Sequence, residues 1–149
     1  MSNSNVLPSN RSVFAAAIDP DAYGAGTVTS GWVSLADYEY IQAIVMVGEM
    51  QATSTVDAKL EQAQDGSGTG AKDITGKAIT QLTAAGSDSD KQAILNCRSE
   101  ELDVTNAFTH VRLSITTATA ASDSAGLILG SDARYFPATD ATTVDEVVA

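Results

Sequence analysis

Residues 54 to 64 read STVDAKLEQAQ, and this run carries the clearest hydrophobic pattern in the chain. Alternate positions fall on opposite sides if the backbone is extended. The first side holds Val56, Ala58, Leu60 and Gln62. The other side holds Asp57, Lys59 and Glu61. A period of two is typical of a half-buried antiparallel strand, so the run restricts the fold to one that contains such a sheet.

Further runs along the chain carry strand patterns. QAILNCRSEEL places Ala93, Leu95 and Cys97 on one face, and FTHVRLSITTAT turns Val111, Leu113 and Ile115 inward. EYIQAIVMVGEM predicts a strand with both faces partly buried, DITGKAITQLT predicts one broken by Gly76, and GLILGSDARYFP predicts a closing strand that ends at Pro137. Six to eight strands separated by Gly, Ser and Asp turns, with no long amphipathic helix, predict an all-β antiparallel sandwich or jelly-roll-like barrel.

The 149 residues suit one domain with a tail at each end. Residues 1–22 begin with a polar stretch and predict an N-terminal arm, within which RSVFAAAID is the first ordered run. Residues 23–137 form the predicted β-sandwich domain. Residues 138–149 are acidic and poor in apolar side chains, and they predict a C-terminal arm.

The chain is strongly acidic, with 19 Asp and Glu against 8 Lys and Arg and a formal net charge of -11. Because nucleic acid and anionic membranes are themselves negative, neither is an expected partner. The first twenty residues lack the basic start and long apolar core of an export signal, and no window approaches 18 apolar residues. We therefore expect a soluble product of the cytoplasm.

The loop DGSGTGAKD, residues 65 to 73, contains Gly66, Gly68 and Ala71 at dinucleotide-binding spacing, followed by Lys72. A phosphate cradle requires a helix after the glycines, and a P-loop requires a hydroxyl residue after its lysine. Here Asp73 follows the lysine, and the next residues are β-branched. The pattern favours a hairpin loop with Asp-Gly turn chemistry over a phosphate site.

Other chemistry finds little support in the sequence. His110 is the only histidine, lies mid-strand and has no nucleophile elbow to serve. Glu100 and Glu101 are adjacent, so we expect them on opposite faces of a solvated strand end. Cys97 has no second cysteine and is expected in the core. We predict no enzymatic activity, no catalytic residue and no cofactor.

Calcium is the one inorganic ligand with a compositional argument, because aspartates collect in the predicted turns. They are Asp65, Asp73, Asp88, Asp90 and Asp123. No segment has the spacing of a calcium-binding loop, and turns also use Asp to bond their own backbone. We therefore predict no metal, with calcium as the alternative.

Aromatic side chains near the predicted strand ends are the candidates for partner contact. They are Tyr23, Trp32, Tyr135 and Phe136. Aromatic residues often provide most of the energy of protein interfaces. The alternative is that residues such as Trp32 and Phe136 close the ends of the sandwich.

Four stretches, VDAKLEQAQDGSG, AILNCRSEELD, FTHVRLSIT and LILGSDARYFPA, together resemble the small β-sandwich head proteins of tailed bacteriophages that decorate or cement the capsid. The resemblance covers roughly residues 31 to 137. It implies binding to the major capsid protein, a homo-oligomer around a symmetry axis and arms that order on binding. It also implies a place in the virion after assembly in the host cytoplasm.

Two other roles remain open at this point. The strand, Asp-Gly and Val-Arg-Leu pieces are also similar to those of discoidin-like carbohydrate-binding modules, which implies a glycan-binding or host-adhesion module. That family usually has Trp shortly after the Asp-Gly turn, where this chain has SGTGAKD. A tail or head-tail structural protein is the other alternative.

Overall fold

The computed structural model describes residues 6–148. Within them the chain forms ten strands, a four-residue helix and two 3-10 turns. The helix is α1 (Pro8–Arg11), and the 3-10 turns are Ser99–Glu101 and Val104–Asn106. The strands are β1 (Ser12–Tyr23), β2 (Gly26–Thr29), β3 (Val33–Ser34), β4 (Tyr38–Met50), β5 (Thr55–Ala63), β6 (Lys72–Ala78), β7 (Leu82–Thr83), β8 (Gln92–Arg98), β9 (His110–Ala118) and β10 (Ser122–Ala133).

The strands form two antiparallel sheets. Sheet A has the order β1-β10-β4-β8, and sheet B has the order β2-β9-β5-β6, with β3 also pairing with β9 and β7 with β5. If the eight strands of four or more residues are numbered in sequence, the two orders read 1-8-3-6 and 2-7-4-5. This is the jelly-roll arrangement of two Greek keys. The predicted all-β sandwich is confirmed.

The core lies between the sheets and is built from the alternating runs. On β5, Val56 and Leu60 are fully buried, and on β9 so are Leu113 and Ile115. Each such side chain contributes roughly 1.5–3 kcal/mol when it leaves water. Gln62 faces the same interior, and its side-chain oxygen accepts the Asp103 N–H at 2.8 Å. The faces predicted from the period-two pattern are therefore confirmed.

The N-terminal boundary differs from the prediction. Residues 12–22, expected in the arm, belong to β1, which pairs with β10 from Ser12 to Tyr23. Val13 and Ile18 are buried at 1% and 4% exposure. Two register shifts along β1 interrupt the alternation. Because a bulge changes which side chains face the core, the period-two pattern of this segment was hidden.

The C-terminal segment lies against the edge of sheet A in its first part. Ala138 packs on the core, and the Phe14 N–H donates to the Asp140 carboxylate at 2.8 Å. The Ala141 N–H donates to the Phe14 carbonyl at 2.7 Å. An edge strand has free backbone groups on one side, and this segment uses some of those of β1. The ends of the two predicted arms, residues 1–5 and 149, lie outside the described residues.

Candidate interaction surfaces

The glycine-rich loop is the hairpin connection between β5 and β6, which pair antiparallel. The Asp65 carboxylate accepts the N–H groups of Ser67 and Thr69 at 2.9 and 3.0 Å, and the Thr69 hydroxyl donates to it at 2.6 Å. These bonds, the hydroxyl first, lower the pKa of Asp65 below its ordinary value. A strand follows the loop where a phosphate cradle would need a helix. The predicted hairpin is therefore confirmed.

Trp32 lies on the outside of sheet B and is half-buried by contacts within the chain. The Arg112 guanidinium stands 4.5 Å from the centre of the indole, and its Nε donates to Glu61 at 2.7 Å. On another side, a Cβ at Gly68 would lie only 3.0 Å from the indole nitrogen. The hairpin loop thus needs a glycine there to approach the ring, and Trp32 packs the loop onto the sheet.

Lys72 lies over the Phe108 ring, 4.2 Å from its centre, and pairs with the Asp103 carboxylate. That ion pair, together with the hydrogen bond from Asn106, lowers the pKa of Asp103. The loop lysine therefore contacts the neighbouring 3-10 segment.

The sequence had indicated that the adjacent Glu100 and Glu101 lie at the end of a strand, on opposite faces. The structure shows that this expectation was wrong. They lie in the 3-10 turn that follows β8. Glu101 pairs with Lys77 at 2.9 Å and accepts the Arg98 N–H at 2.8 Å. The bond from Lys77 and then the backbone bond hold the pKa of Glu101 below its ordinary value. Glu101 thus binds the last backbone N–H of β8 and links the strand end to Lys77 on β6.

His110 and two more of the turn aspartates contact neighbouring groups of the chain. His110 is half-buried, and its Nδ1 lies 2.8 Å from the Thr109 hydroxyl. These two turn aspartates bond nearby groups: Asp88 accepts the Thr83 N–H at 2.9 Å, and Asp73 pairs with Lys59 at 2.7 Å. Among residues 6–148, no group of three or more His, Cys, Asp or Glu side chains is placed to hold a metal ion.

Cys97 is expected to resist thiol reagents at pH 8 as long as the chain is folded. Its side chain is 1% exposed, and burial raises its pKa to about 11. Because only the thiolate reacts, a rise of about two pKa units lowers the rate at least 100-fold relative to the unfolded chain. The rate of labelling with a chromogenic disulfide, with and without guanidinium, measures this. Equal rates in the two conditions would contradict the burial.

The four predicted contact aromatics separate into two kinds. Tyr135 and Phe136 are 76% and 62% exposed and lie side by side where β10 ends and β4 begins. Tyr23 lies at the opposite end of β10 and is half-buried, and its hydroxyl donates to the Asp19 carbonyl at 2.5 Å. Desolvation, with Asp21 and Asp19 nearby, raises the pKa of Tyr23. Only Tyr135 and Phe136 thus form an exposed pair.

Sequence reasoning missed a second surface, the outward side of sheet A. Four apolar side chains stand side by side across its strands, and we call them the apolar row. They are Ala17 on β1, Leu127 on β10, Ile44 on β4 and Ile94 on β8. Ile94 is 59% exposed, and Met46 next to the row is 49% exposed. The signal in the sequence was the isolated Ile94 among the outward polar positions of QAILNCRSEEL.

Two adjoining grooves follow this face. One, of about 500 Å³, lies between Phe14, Leu127 and Ile44, with Val144 of the C-terminal segment on its border. The other, of about 620 Å³, reaches the end of the sheet where Gly48 and acidic side chains line it. Those acidic side chains are Asp21, Asp90 and Asp123. Met46 borders both grooves, so the two lie next to each other.

The sequence matches no family model and no curated protein. A search of solved structures finds a likeness to a chain in "Structure of infectious bursal disease virus Gx strain", with a TM-score of 0.42 and 12% sequence identity. The match covers 83% of this chain and 32% of that chain. This protein therefore spans about a third of the viral chain that it matches. Likeness at this level does not transfer a function.

None of the helices in residues 6–148 combines the length and the apolar composition needed to cross a bilayer.

Proposed function

We propose that this chain is a non-enzymatic structural protein of a tailed-phage virion that binds the assembled capsid and stabilises it, as decoration or cement proteins do. The observation that carries the proposal is the exposed Tyr135–Phe136 pair at one end of the jelly roll. The resemblance of four sequence stretches to such head proteins supports it. Jelly rolls also recur among viral capsid domains, which is a fold-level analogy.

The segment that carries the two aromatic side chains is held on both sides. Before it, the Arg134 N–H donates to the Asp37 carbonyl at 2.8 Å, and its guanidinium pairs with Glu39 at 3.0 Å. After it, Ala138 packs against the core. Since little chain entropy remains to be lost on binding, a large aromatic area presented in this way favours affinity.

The mechanism in this proposal is adhesion. The Tyr135–Phe136 pair contacts the major capsid protein, and oligomers of this chain bridge neighbouring capsid subunits on the virion. Added contact area then resists internal pressure. The acidic surface, with a net charge of -11, reduces non-specific binding to the nucleic acid of the host cytoplasm where assembly occurs.

Capsid binding is expected to fall about 10- to 100-fold when Tyr135 and Phe136 are both changed to Ala, because interface aromatics contribute roughly 1–3 kcal/mol or more. The measurement is co-sedimentation of the purified chain with capsids assembled without it. Val104→Ala is the matched control, because Val104 is 63% exposed but lies in the second 3-10 turn.

Two results would contradict this proposal. One is equal binding by the double variant and the unchanged chain, and the other is equal binding to unassembled capsid protein. Cryo-electron microscopy of the particle distinguishes the capsid from the tail, since density at the tail or head-tail junction alone would favour the other virion role.

Glycan binding is the second candidate, and one observation favours it. A depression of about 230 Å³ beside Tyr135 is lined by Asp37, Tyr38 and Thr139. An exposed aromatic ring next to carboxylate and hydroxyl groups is a combination that sugars can stack on and hydrogen-bond to. A glycan array tests it: specific binding lost in Tyr135→Ala, without capsid binding, would replace the capsid proposal.

A further inference from the structure

The outward side of sheet A is apolar in the middle and polar at its margins. The row through Leu127, Ile44 and Ile94 is flanked by Met46 on one side and Leu129 on the other. Ile94 and Met46 are 59% and 49% exposed. A contiguous apolar patch with a polar rim on a soluble fold marks contact with another protein surface.

The register of the strands gives this patch a particular symmetry. Leu127 pairs with Ala17 on one side and with Ile44 on the other, and Ile44 pairs with Ile94. The apolar row therefore crosses the strands at a right angle. A two-fold axis along the row stacks the face on the same face of a second copy, with the strand direction reversed.

The shapes that meet under this operation are complementary on β4. Residues four positions before the row come to face residues four positions after it. On β4 these are Tyr40, whose side chain is 37% exposed, and Gly48, which has no side chain and lines the larger groove. The ring of one copy thus meets the depression of the other. On β10, Leu129 faces Ala125 in the same way.

The charges that meet are also complementary. Asp90 lies just before β8, and its N–H donates to the Gly48 carbonyl at 3.0 Å, so the operation brings it to the end of the face where Arg98 of the other copy lies. On β10 the operation places Ser131 opposite Asp123. The Arg98 side chain is 60% exposed and therefore accessible to a second copy, and it also lies 3.6 Å from the exposed carboxylate of Glu100. With the strand direction not reversed, the acidic ends would face each other. Complementary charge therefore selects the reversed arrangement.

The area is sufficient for a specific contact. Strands about 4.8 Å apart with a rise of about 3.4 Å per residue give the β10, β4 and β8 part of the face roughly 500 Å² in projection. Two copies together bury on the order of 1,000 Å², which is the lower bound for a biological interface. Thr143 and Val144 of the C-terminal segment line the groove beside Leu127 and Ile44, while Ile94 on β8 is 59% exposed.

The geometry points to a homodimer in which the outward faces of sheet A of two copies pack together about a two-fold axis along the apolar row. Ile94 meets its own counterpart at the axis, and Tyr40 and Arg98 of each copy contact Gly48 and Asp90 of the other. The dimer uses a different surface from the capsid contact, since the Tyr135–Phe136 pair lies at the end of the sandwich.

Sedimentation velocity of the full chain over a range of concentrations tests the dimer. The unchanged chain is expected at twice its 15.3 kDa. Ile94→Asp places two carboxylates at the axis and is expected to weaken the dimer at least tenfold, whereas Val104→Asp, the matched exposed control, leaves it intact. Thermal melts followed by circular dichroism verify that each variant is folded. A folded chain that stays at 15.3 kDa, or a dimer indifferent to Ile94→Asp, overturns the inference.

A charge exchange between two variants tests the reversed stacking itself. Arg98→Asp alone and Asp90→Arg alone each place like charges opposite each other, so each is expected to be monomeric. In an equal mixture, the new carboxylate at position 98 meets the new guanidinium at position 90, while the original Asp90 and Arg98 meet as before. The mixture is expected to recover the dimer. If it stays monomeric, or if neither single variant dissociates, the arrangement is wrong.

The dimer inference and the capsid proposal can be tested separately. The double variant with Tyr135→Ala and Phe136→Ala is expected to dimerise like the unchanged chain even where it no longer binds capsids. Loss of dimerisation in that variant would place the interface elsewhere and overturn the inference.

Discussion

Replacing Leu113 with Ala is expected to lower the free energy of unfolding by about 2–5 kcal/mol, the range for large-to-small changes in a core. Leu113 is fully buried in the middle of β9, next to Leu60 on β5. Its side chain crosses the gap between the sheets to Gly126 on β10. Because both sheets are fixed by their strand pairing, neither can move in to fill the cavity. Denaturant unfolding followed by circular dichroism measures the change.

The contact with Gly126 allows a sharper version of this test. A Cβ at Gly126 would lie 2.5 Å from a Leu113 methyl carbon, so Gly126→Ala alone is expected to cost about 1–3 kcal/mol through overlap. In Gly126→Ala with Leu113→Ala, the added methyl group enters the vacated space. We therefore expect the double variant to lose less stability than the sum of the single changes.

The control for both changes is Val104→Ala at an exposed site, where a change within about 0.5 kcal/mol is expected. A loss below about 1 kcal/mol for Leu113→Ala would mean that the sheets close over the cavity. Strict additivity in the double variant would mean that the Leu113 side chain does not lie over Gly126.

The sequence predicted the strands whose two faces differ in polarity. In the middle of β5 and β9 the inward residues Val56, Leu60, Leu113 and Ile115 alternate with the polar Asp57, Lys59, Arg112 and Ser114, so the period of two can be recognised without knowing which strands pair. The Asp65 loop was predictable for a similar reason. Its aspartate bonds the N–H groups two and four residues ahead, and a turn stabilised by bonds within a few residues can be recognised from that short stretch of sequence.

The boundary at the N-terminus was not predictable in the same way. VFAAAI is rich in alanine, and its two bulges shift the inward positions out of step. The C-terminal segment was hidden by its acidic composition. It lies on β1 through Asp140 and Ala141, which both bond the backbone of Phe14, more than a hundred residues away. Composition predicts how a segment behaves on its own. Here the free backbone groups of the edge strand β1 hold a segment whose own composition would not make it fold.

The surfaces proposed for contact show the same limit. Tyr135 and Phe136 were found because large aromatics after a final strand are visible in the chain. Trp32 was equally visible, but its contacts with Arg112 and Gly68 depend on the hairpin fold. The apolar row has one residue from each of four strands, and only the register between them places those residues side by side. A surface of this kind has no signature within any single segment.

Replacing Gly130 with Ala is expected to cost about 3 kcal/mol, near the top of the usual range for overpacking. A Cβ at this position would lie 2.6 Å from two atoms of the Tyr38 ring and 2.7 Å from a third. Gly130 lies in β10, between Val13 on β1 and Ile41 on β4, so its backbone is fixed by pairing on both sides. The ring is 7% exposed, has two rotatable bonds and cannot shift without moving the start of β4. Thermal and denaturant unfolding measure the loss.

Gly31→Ala is the matched control, since no atom lies within 4 Å of a Cβ there and its backbone is not left-handed. Removing a glycine from such a position restricts the unfolded chain, so this variant is expected to be unchanged or up to about 1 kcal/mol more stable. Equal stability of Gly130→Ala and Gly31→Ala would mean that the Tyr38 ring does not cover β10. The start of β4 and the residue before it also bond Arg134, which precedes the exposed aromatic pair. Gly130→Ala is therefore expected to weaken capsid binding as well, because it loosens that end of the sandwich. Weakened binding with unchanged unfolding would instead assign Gly130 a direct role in the contact.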